Sequence, residues 1–517
     1  MRLLFECTYV YEHPETNSGI QRVVRNVVRH LAATQDLTKC VPIILKNGKV
    51  YEVKRLAPTQ DDHLQERFEK TRNRYWLTHH RIEHALGLTR LSRPSLLRRL
   101  LESIFRWGAF SFLLPYGLAM LVREPGRMHA RMGPWFEALR NRYWLIHQQL
   151  EQRTGIARVR WLRWPFWQLF RAASLSFVLP WKLLGRMAAD DVDLDRINEL
   201  TCQQGDVLVL LDSSWHADFF AQVEQLKQQG IGVVGVIYDL IPLTHPQFCD
   251  EPLVKVFDTW FDWVSRAADG YIAISATIAN EVRSDVHRRL GTEAASARWY
   301  DYFQLGSELD QAQDNAPVRS AVRALFDERH SAYLMVSTIE PRKNHAYLLD
   351  AFECLWAREP TTRATLCIVG RIGWKCAPLV NRIKNHPELG RRLFMFNDLN
   401  DSELECCYQH SQSLVFPSFV EGFGLPLVEA MQRGLPAMAS DIPVFREIGA
   451  DFLAYFQLDD PASLAALIQR FEASGHFPAQ RKLTDWHWPG WRDSTRQLVE
   501  RIATHTARHT PIAQRNT

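Results

Sequence analysis

The chain has 517 residues, of which 46% are hydrophobic and 23% charged, so it is long enough for two or three domains with hydrophobic cores. Aromatic residues make up 11% and the net charge is only +4, which excludes a chain that is disordered throughout. Its nine cysteines form no C-x-x-C pair and no ligand spacing. We therefore expect reduced thiols and neither disulfides nor a zinc site.

The first elements in chain order alternate between apolar strands and an amphipathic helix. Residues 3–10 predict a strand, residues 20–33 a helix and residues 41–45 a second strand. The opening residues look like the start of a secretion signal, but Glu6 interrupts the apolar run and no small-residue cleavage site follows. We expect a core strand there instead of a leader.

Residues 51–200 interrupt this alternation with a basic, aromatic segment. Residues 71–186 hold 20 Lys and Arg against 5 Asp and Glu, and eight of the 17 Trp. The sequence RNRYWL occurs at 72–77 and again at 140–145, which indicates an internal duplication. An ordinary helical subdomain with a solvated arginine face is one explanation. The alternatives are a membrane surface, a protein contact or nucleic acid, and the clustered Trp beside short apolar runs favours the membrane.

After residue 200 the alternation resumes in two series, separated by a charged passage near residues 308–319. The predicted strands lie at 206–212, 232–239, 270–275, 333–337, 366–370, 393–396, 413–417, 436–439 and 452–456. Predicted helices at 218–228 and 252–267 separate the first three strands. This pattern is typical of α/β domains with parallel sheets covered on both faces. We expect one domain from residues 1–50 and 201–310, a helical insertion at 51–200, a second domain at 316–490, and a final helix and tail at 491–517.

Residues 415–448 contain the most informative motif, VFPSFVEGFGLPLVEAM and its continuation. Glu421 and Glu429 stand eight positions apart across a glycine-containing turn that opens into a helix. Free N–H groups at a helix start, reinforced by the helix dipole, suit a diphosphate. A carboxylate on a ribose and another facing a sugar would complete a nucleotide-sugar site.

Two further motifs precede this one, each at the end of a buried strand. In YLMVSTIEPRKN, which begins at residue 333, Arg342 and Lys343 follow the strand. In LCIVGRIGW the strand ends at Gly370, which is a further candidate for binding the donor. A structural ion pair is the simple explanation for the two cations, whereas charge stabilisation of a leaving diphosphate is the functional one.

Together the three motifs resemble, in type and in order, those of retaining GT-B glycosyltransferases of the group 1 type. The resemblance implies two facing Rossmann-like domains, with the last helix crossing back to the first domain. It also implies that Glu429 binds the ribose, that Glu421 lies nearest the donor sugar, and that Phe423 and Gly424 present their backbone to the pyrophosphate. Arg342 and Lys343 would form a cationic clamp.

In the N-terminal part, NSGIQRVV resembles the family's glycine loop. Gly19 would let backbone approach the donor phosphates or the acceptor, with Arg22 on the next helix facing the cleft, although a simple helix cap also explains this motif. The segment YDLIPLTHP follows a predicted strand and could bring Asp239 or His245 into the cleft. Many relatives carry His where this chain has Tyr238, which leaves Asp239 the better catalytic candidate. DSSWH at 212–216 fits an acceptor role or plain packing.

No metal site is expected. Asp191 and Asp193 imitate a metal-binding D-x-D motif, but they precede a predicted helix inside an acidic run, which favours a solvated helix start. The resemblance implies metal-independent chemistry without a cofactor, and no lysine context suggests pyridoxal phosphate.

The resulting hypothesis is a retaining transferase of mannose or a rhamnose-like hexose in cell-surface polysaccharide synthesis. The donor is a nucleoside diphosphate sugar, with GDP favoured and UDP or dTDP as alternatives, and the acceptor is a lipid-linked glycan. We expect a cytoplasmic protein bound peripherally to the inner face of the membrane, with anionic lipid and polysaccharide assembly proteins as partners and no nucleic acid. The alternative is a catalytically silent GT-B scaffold that recruits an assembly complex.

Overall fold

The computed structural model of the chain describes residues 1–14, 19–56, 168, 197–307, 317–326, 330–373 and 375–508. The predicted duplication, the basic segment apart from Gln168, and Asp191 and Asp193 lie outside the described residues. Within the described part, every helix is too short or too polar to cross a bilayer. All nine cysteines are free thiols.

The described strands form two sheets, and all of them except β4 lie within one compact unit. Their bounds are β1 Arg2–Glu6, β2 Lys39–Lys46, β3 Lys49–Val53, β4 Ile197–Glu199, β5 Val207–Leu210, β6 Gly232–Ile237, β7 Gly270–Ala273, β8 Trp299–Tyr302, β9 Ser331–Val336, β10 Ala364–Val369, β11 Leu393–Phe396, β12 Ser413–Phe416, β13 Ala437–Ser440 and β14 Ala454–Phe456.

Helices occupy most of the connections between these strands. Their bounds are α1 Thr8–Glu12, α2 Gly19–His30, α3 Phe220–Gln228, α4 Ile241–Thr244, α5 Glu251–Ala267, α6 Ala276–Leu290, α7 Thr292–Ser296, α8 Ser320–Arg323, α9 His345–Arg358, α10 Ala377–Lys384, α11 Asp401–His410, α12 Leu425–Gln432, α13 Pro443–Gly449, α14 Pro461–Ser474 and α15 Trp491–Arg508.

The first sheet has eight strands in the order β4-β3-β2-β1-β5-β6-β7-β8, and the second has six in the order β11-β10-β9-β12-β13-β14. Each order reverses once, between β1 and β5 in the first sheet and between β9 and β12 in the second. Ligands of open α/β sheets bind at such reversals, beside the carboxyl ends of the strands. The predicted class, with two Rossmann-like domains, is confirmed; the domain boundaries stay predictions.

The structure corrects several predicted elements. The first strand ends at Glu6 instead of residue 10, because the Glu6 side chain accepts a hydrogen bond from the Thr8 N–H at 2.7 Å and the chain turns into α1. The short strands β3, β4 and β8 were not predicted. β3 pairs antiparallel with β2 through a hairpin at Asn47 and Gly48, which both have positive φ.

The last helix packs against the first domain. From α15, the Ser494 hydroxyl donates to the Gln304 carbonyl at 2.5 Å, and Arg496 forms an ion pair with Asp36 at 2.8 Å. α15 also contacts α2. The chain therefore returns to the first sheet after completing the second.

Candidate functional site

Two strand ends of the second sheet bring the motif residues together at its reversal point. Arg342 and Lys343 follow β9, and Glu421 follows β12, which is paired with β9 in parallel. The Phe419 N–H donates to the Arg342 carbonyl at 2.9 Å, which holds the two loops side by side. Residues that are far apart in sequence thus share one edge of the sheet.

Glu421 is the centre of a buried ionic cluster. Its Oε2 accepts from the Arg342 guanidinium at 2.7 Å. Its Oε1 accepts from the Ser418 hydroxyl at 2.7 Å and also from the Lys343 ammonium. On its other side Arg342 pairs with the buried Glu340 at 2.6 Å, and the Lys343 ammonium lies over the Phe416 ring at 5.2 Å. Both carboxylate oxygens of Glu421 are therefore fixed in direction.

The cluster keeps Glu421 ionised. Burial acts to raise the pKa of this carboxyl, but the charges of Arg342 and Lys343 outweigh burial and lower the pKa to about 2. Burial, and then the charge of Arg342, lower the pKa of the Lys343 ammonium. The positive charge of Lys343 consequently depends on the Glu421 carboxylate beside it. The arrangement therefore holds two cations and two carboxylates in a fixed network at a strand end.

Glu429 lies inside α12, buried, with a different set of partners. Its Oε1 accepts from Arg22 of α2 at 2.7 Å, and its Oε2 accepts from the buried Tyr408 hydroxyl at 2.9 Å. The Arg433 guanidinium lies over the Tyr408 ring at 5.1 Å and donates to the Glu429 carbonyl. The structure thus joins Arg22 and Glu429, predicted separately, into one interdomain ion pair.

The start of α12 explains the glycine and proline of the motif. Gly424 precedes the helix with φ +113°, a conformation that L side chains rarely adopt, and Pro426 occupies its first turn. A Cβ on Gly424 would lie 2.9 Å from the Phe445 ring. The Phe423 side chain is buried against Trp488, with ring centroids 5.8 Å apart. The roles of both residues toward a pyrophosphate stay predictions.

Gly422 lies where the Glu421 loop meets the first domain. A Cβ there would lie 2.2 Å from the Tyr238 carbonyl oxygen and 3.0 Å from Asp239 Cβ. The Ser275 hydroxyl donates to the Gly422 carbonyl at 3.0 Å.

A second contact between the domains lies nearby. The Glu447 carboxylate of α13 accepts from the N–H groups of Ala276 and Thr277 at the start of α6. The loop that carries Glu421 is therefore docked on the first domain.

Asp239 is brought beside the cluster from the first sheet. It follows β6, and its Oδ1 accepts from the Ile241 N–H at 3.0 Å. Burial raises the pKa of this carboxyl, whereas the Arg342 charge opposes the rise. The structure thus places the predicted Asp239 close enough to Arg342 and Glu421 to feel both charges.

Sequence reasoning missed Glu6, treating it only as an interruption of an apolar run. It is fully buried at the end of β1, at the reversal of the first sheet. Asp212, which follows β5, is buried beside it, and its N–H donates to Glu6 Oε2 at 3.4 Å. Burial, followed by the Asp212 charge, raises the pKa of Glu6. The sequence feature that could have identified Glu6 is an acidic residue at the end of a buried strand.

Two of the predicted glycines differ in their surroundings. Gly370 follows β10, and a Cβ on it would lie 1.8 Å from the Ser337 carbonyl oxygen, so no side chain fits between these strand ends. Gly19 begins α2 and has open space around its Cα. Their binding roles stay predictions.

No three His, Cys, Asp or Glu side chains converge on a possible metal position among the described residues. The candidate site contains carboxylates, but Glu421 and Glu429 are engaged with Arg342, Lys343, Arg22 and Tyr408. Its chemistry is that of charge pairing and hydrogen bonding to a polyanionic or polyhydroxylated ligand.

Comparison with known proteins identifies the second domain. Residues 321–484 match the family described as glycosyl transferases group 1. This segment contains Arg342, Lys343, Glu421 and Glu429. The match confirms the predicted resemblance to group 1 enzymes.

Two bacterial relatives extend the similarity. The chain is 31% identical over 302 residues to the serotype-specific mannosyltransferase WbdA of Escherichia coli, which covers 57% of this chain and 37% of that protein. It is 29% identical over 146 residues to the O-antigen chain mannosyltransferase RfbU of Salmonella typhimurium, covering 28% of this chain and 39% of that protein. The chain therefore spans well under half the length of the curated relatives it matches.

A solved structure with a related arrangement is a UDP-forming α,α-trehalose-phosphate synthase from Burkholderia xenovorans. It aligns with a TM-score of 0.45 at 13% identity, covering 59% of this chain and 74% of that chain.

Proposed function

We propose that this chain, whose residues 321–484 form a group 1 glycosyl transferase domain, is a retaining hexosyltransferase acting in cell-surface polysaccharide synthesis. The hexose is mannose or a rhamnose-like sugar, and the donor is a nucleoside diphosphate sugar, with GDP favoured over UDP or dTDP. The acceptor is a lipid-linked glycan. The names of the relatives support mannose and O-antigen.

One observation carries the proposal: two cations, Arg342 and Lys343, converge on the buried Glu421 carboxylate. The short helix that follows Glu421 in the chain carries Glu429. A departing diphosphate develops negative charge, and preorganised cations in a site of low dielectric stabilise such charge. Glu429, in the helix that follows the Glu421 turn, offers a carboxylate for a ribose diol. Buried ion pairs add little to stability, so stability alone does not explain such a set of charges.

The electrostatics also bear on the route of the reaction. The pKa of Glu421 is lowered to about 2, so its carboxylate is a weak base and a correspondingly weak nucleophile. Both its oxygens accept hydrogen bonds from Arg342, Lys343 and Ser418. These features favour direct displacement over a covalent glycosyl enzyme. The bond from the anomeric carbon to the phosphate oxygen breaks, the acceptor oxygen bonds on the same face, and the acceptor proton passes to the leaving phosphate.

The remaining assignments follow from this route. Glu421 steadies a hydroxyl of the donor sugar, Arg342 and Lys343 hold the diphosphate, and Gly424 and Phe423 bring backbone to it. Glu429 binds the ribose with Arg22 beside it, and Gly19 and Gly370 leave room for backbone to approach the ligand. Asp239, next to Arg342, faces the acceptor side. No metal takes part in this scheme.

The basic segment at residues 71–186 supports a membrane location, since 19 of its 20 basic residues are Arg. Arginines attract anionic headgroups, and tryptophans favour the interface between headgroups and acyl chains. We place the protein at the cytoplasmic face of the inner membrane, beside lipid-linked acceptors. Polysaccharide assembly proteins are further partners.

A donor panel tests the proposal. The purified chain is incubated with GDP-mannose, GDP-rhamnose, and UDP- and dTDP-hexoses, each with α-linked mannotriose as probe acceptor. Release of nucleoside diphosphate is measured with and without EDTA. We expect one GDP-sugar to be turned over fastest and EDTA to leave the rate unchanged. Proton NMR of the transferred sugar should show the anomeric configuration of the donor.

The same panel separates this function from the silent scaffold. A scaffold would release no diphosphate from any donor, and that result would remove the proposed activity. Loss of activity in EDTA, restored by manganese or magnesium, would instead point to a metal held by residues such as Asp191 and Asp193.

A further inference from the structure

Three aromatic rings form a column across the two domains, beside the Glu421 cluster. The His245 and Phe248 rings, which follow β6 and α4, are nearly parallel at 10° with centroids 6.2 Å apart. Phe248 in turn stacks on Phe419 of the second domain at 17° and 5.4 Å. We call these three residues the aromatic column.

Phe419 is unusually accessible for an aromatic side chain, because 42% of it is exposed. Phe248 stacks on this ring, yet a large part of Phe419 remains open to solvent. Exposed apolar surface is costly in water, and a ligand that covers this ring would remove that cost. The neighbouring second-domain segment supplies another exposed apolar side chain, Ile372, at 44%.

The column lies next to the reacting centre and apart from the ribose carboxylate. Phe419 precedes Glu421 by two residues, and its N–H donates to the Arg342 carbonyl. Its ring partner is Phe248, whereas the partners of Glu429 are Arg22 and Tyr408. A molecule that approaches Glu421 could therefore contact the aromatic column. The residues assigned to the nucleotide would take no part in that contact.

Polar groups flank the rings. Asp250, two residues after Phe248, has a side chain that is 58% exposed, and it lies 3.7 Å from the Lys375 ammonium of the second domain. The same ammonium donates to the Cys249 carbonyl at 2.5 Å. Phe248, which stacks on Phe419, is thus followed within two residues by a carboxylate paired with an ammonium of the second domain. Aromatic and charged groups in one neighbourhood suit a ligand with one apolar face and many hydroxyls.

We propose that Phe419, supported by Phe248, binds a pyranose ring of the glycan acceptor by stacking, and that Asp250 accepts hydrogen bonds from its hydroxyls. One face of a pyranose presents polarised C–H bonds, which are attracted to the negative face of an aromatic ring. This inference rests on the proposed function, because it names a subsite for the acceptor of that reaction. It concerns binding and assigns no further step of the chemistry.

The test uses GDP-mannose as donor and α-linked mannobiose and mannotriose as probe acceptors. The variants are Phe419→Ala, Phe419→Trp, which keeps a ring, and Phe248→Ala. Leu389→Ala is the matched control, since Leu389 is 39% exposed but precedes β11 at the opposite edge of the second sheet. Saturation-transfer NMR of mannotriose with each protein measures acceptor binding without turnover.

We expect Phe419→Ala to raise the KM for mannotriose roughly tenfold, the size of a lost stacking contact, and to abolish the saturation-transfer signal. Release of GDP without acceptor should stay within about twofold of the unchanged protein, because the donor residues are untouched. Phe248→Ala should give a smaller change in the same direction, and Phe419→Trp and Leu389→Ala should resemble the unchanged protein.

An unchanged KM and NMR signal in both alanine variants would overturn the proposal. An equal loss of GDP release without acceptor would also overturn it, because the ring would then serve the donor site or the fold. If the unchanged protein released no diphosphate from any donor, the proposed activity would fail on its own, and the NMR comparison would still decide whether Phe419 binds the glycan.

Discussion

The Arg22 guanidinium donates to Glu429 Oε1 across 2.7 Å, although the two residues lie 407 positions apart in the chain. Tyr408 donates to the other oxygen of the same carboxylate. A ribose diol that binds Glu429 would therefore use the remaining lone pairs of both oxygens. Because Arg22 belongs to the first domain and Glu429 to the second, nucleotide binding at this carboxylate is linked to the position of α2.

The first prediction concerns Glu429. We expect Glu429→Gln to lower kcat/KM for the donor by about a hundredfold, because a lost charged hydrogen bond to a ligand costs up to about 3 kcal/mol. Nucleoside diphosphate release measures the rate. The variant should also discriminate less between the donor and its 2′-deoxyribose analogue. Unaltered discrimination would remove Glu429 from the ribose site.

Lys343 gives the second prediction. Lys343→Gln should reduce kcat by at least about a hundredfold, because charge stabilisation of the leaving group has that size. Glu421 keeps Arg342 and Ser418 as partners, so the variant should fold, which circular dichroism can verify. Arg446→Gln is the control, since Arg446 pairs with Asp441 at the surface. A normal kcat in the folded variant would contradict the assignment of Lys343 to the cationic clamp.

The third prediction concerns Tyr408, which acts through Glu429 as a positioning residue. Tyr408→Phe removes the hydroxyl alone and should raise the donor KM about three- to tenfold, the effect of one hydrogen bond, while kcat changes little. Tyr333→Phe is a matched control, because the Tyr333 hydroxyl donates to Glu472 at 2.6 Å, also in the second domain. Similar KM values for the two variants would show that Tyr408 matters only for folding.

The buried Glu6 gives a pH dependence of stability. Its pKa is raised to about 8, above the ordinary value of 4.5, so between these pH values the folded state binds more protons than the unfolded state. The free energy of unfolding should therefore fall as pH rises through this window. Urea unfolding at about pH 5.5 and about pH 8 measures the change.

Glu6→Gln should lose that pH dependence, because glutamine does not titrate. The variant should gain stability relative to the unchanged chain as pH rises. Glu199→Gln is the control, since Glu199 is 59% exposed and pairs with Lys49. Parallel pH profiles for Glu6→Gln and the unchanged chain would show that Glu6 is ionised in the folded protein at both pH values.

The fifth prediction concerns the basic segment, whose residues lie outside the described part. We expect the chain to bind liposomes that contain anionic lipid, and high salt to remove only part of it, because tryptophans at the interface resist screening. Replacing Arg93, Arg98, Arg99, Arg158, Arg160 and Arg163 by Gln should weaken this binding while donor hydrolysis persists. A chain that ignores anionic liposomes would favour a docking or oligomerisation role for the segment.

The second sheet could be predicted closely from the sequence, because buried parallel strands appear as short apolar runs between glycines and helices. β11 was predicted with the bounds that the structure gives it. The end of β1 was predicted four residues too late, since apolar residues continue into α1 on the same chain segment. Periodicity cannot separate a strand from a short helix when both are buried.

The predicted site residues were chosen one motif at a time, and their partners could not be predicted. Nothing in the motif around Glu421 states that its carboxylate is held by cations from the end of β9. Tyr408 was missed because a tyrosine inside a helix looks like any core residue. Pairings of this kind are set by the order of strands in the sheet, which local sequence patterns do not encode.

Gly422 has a consequence for movement that its local geometry does not suggest. The backbone at Gly422 is unstrained, so the loop by itself would tolerate alanine. The Tyr238 carbonyl oxygen of the other domain would clash with it, because this oxygen lies 2.2 Å from the position of an alanine methyl group. A single methyl group at residue 422 would therefore prevent the two domains from packing together at this point. Because residue 422 has no side chain, the Glu421 loop can pack directly against the first domain.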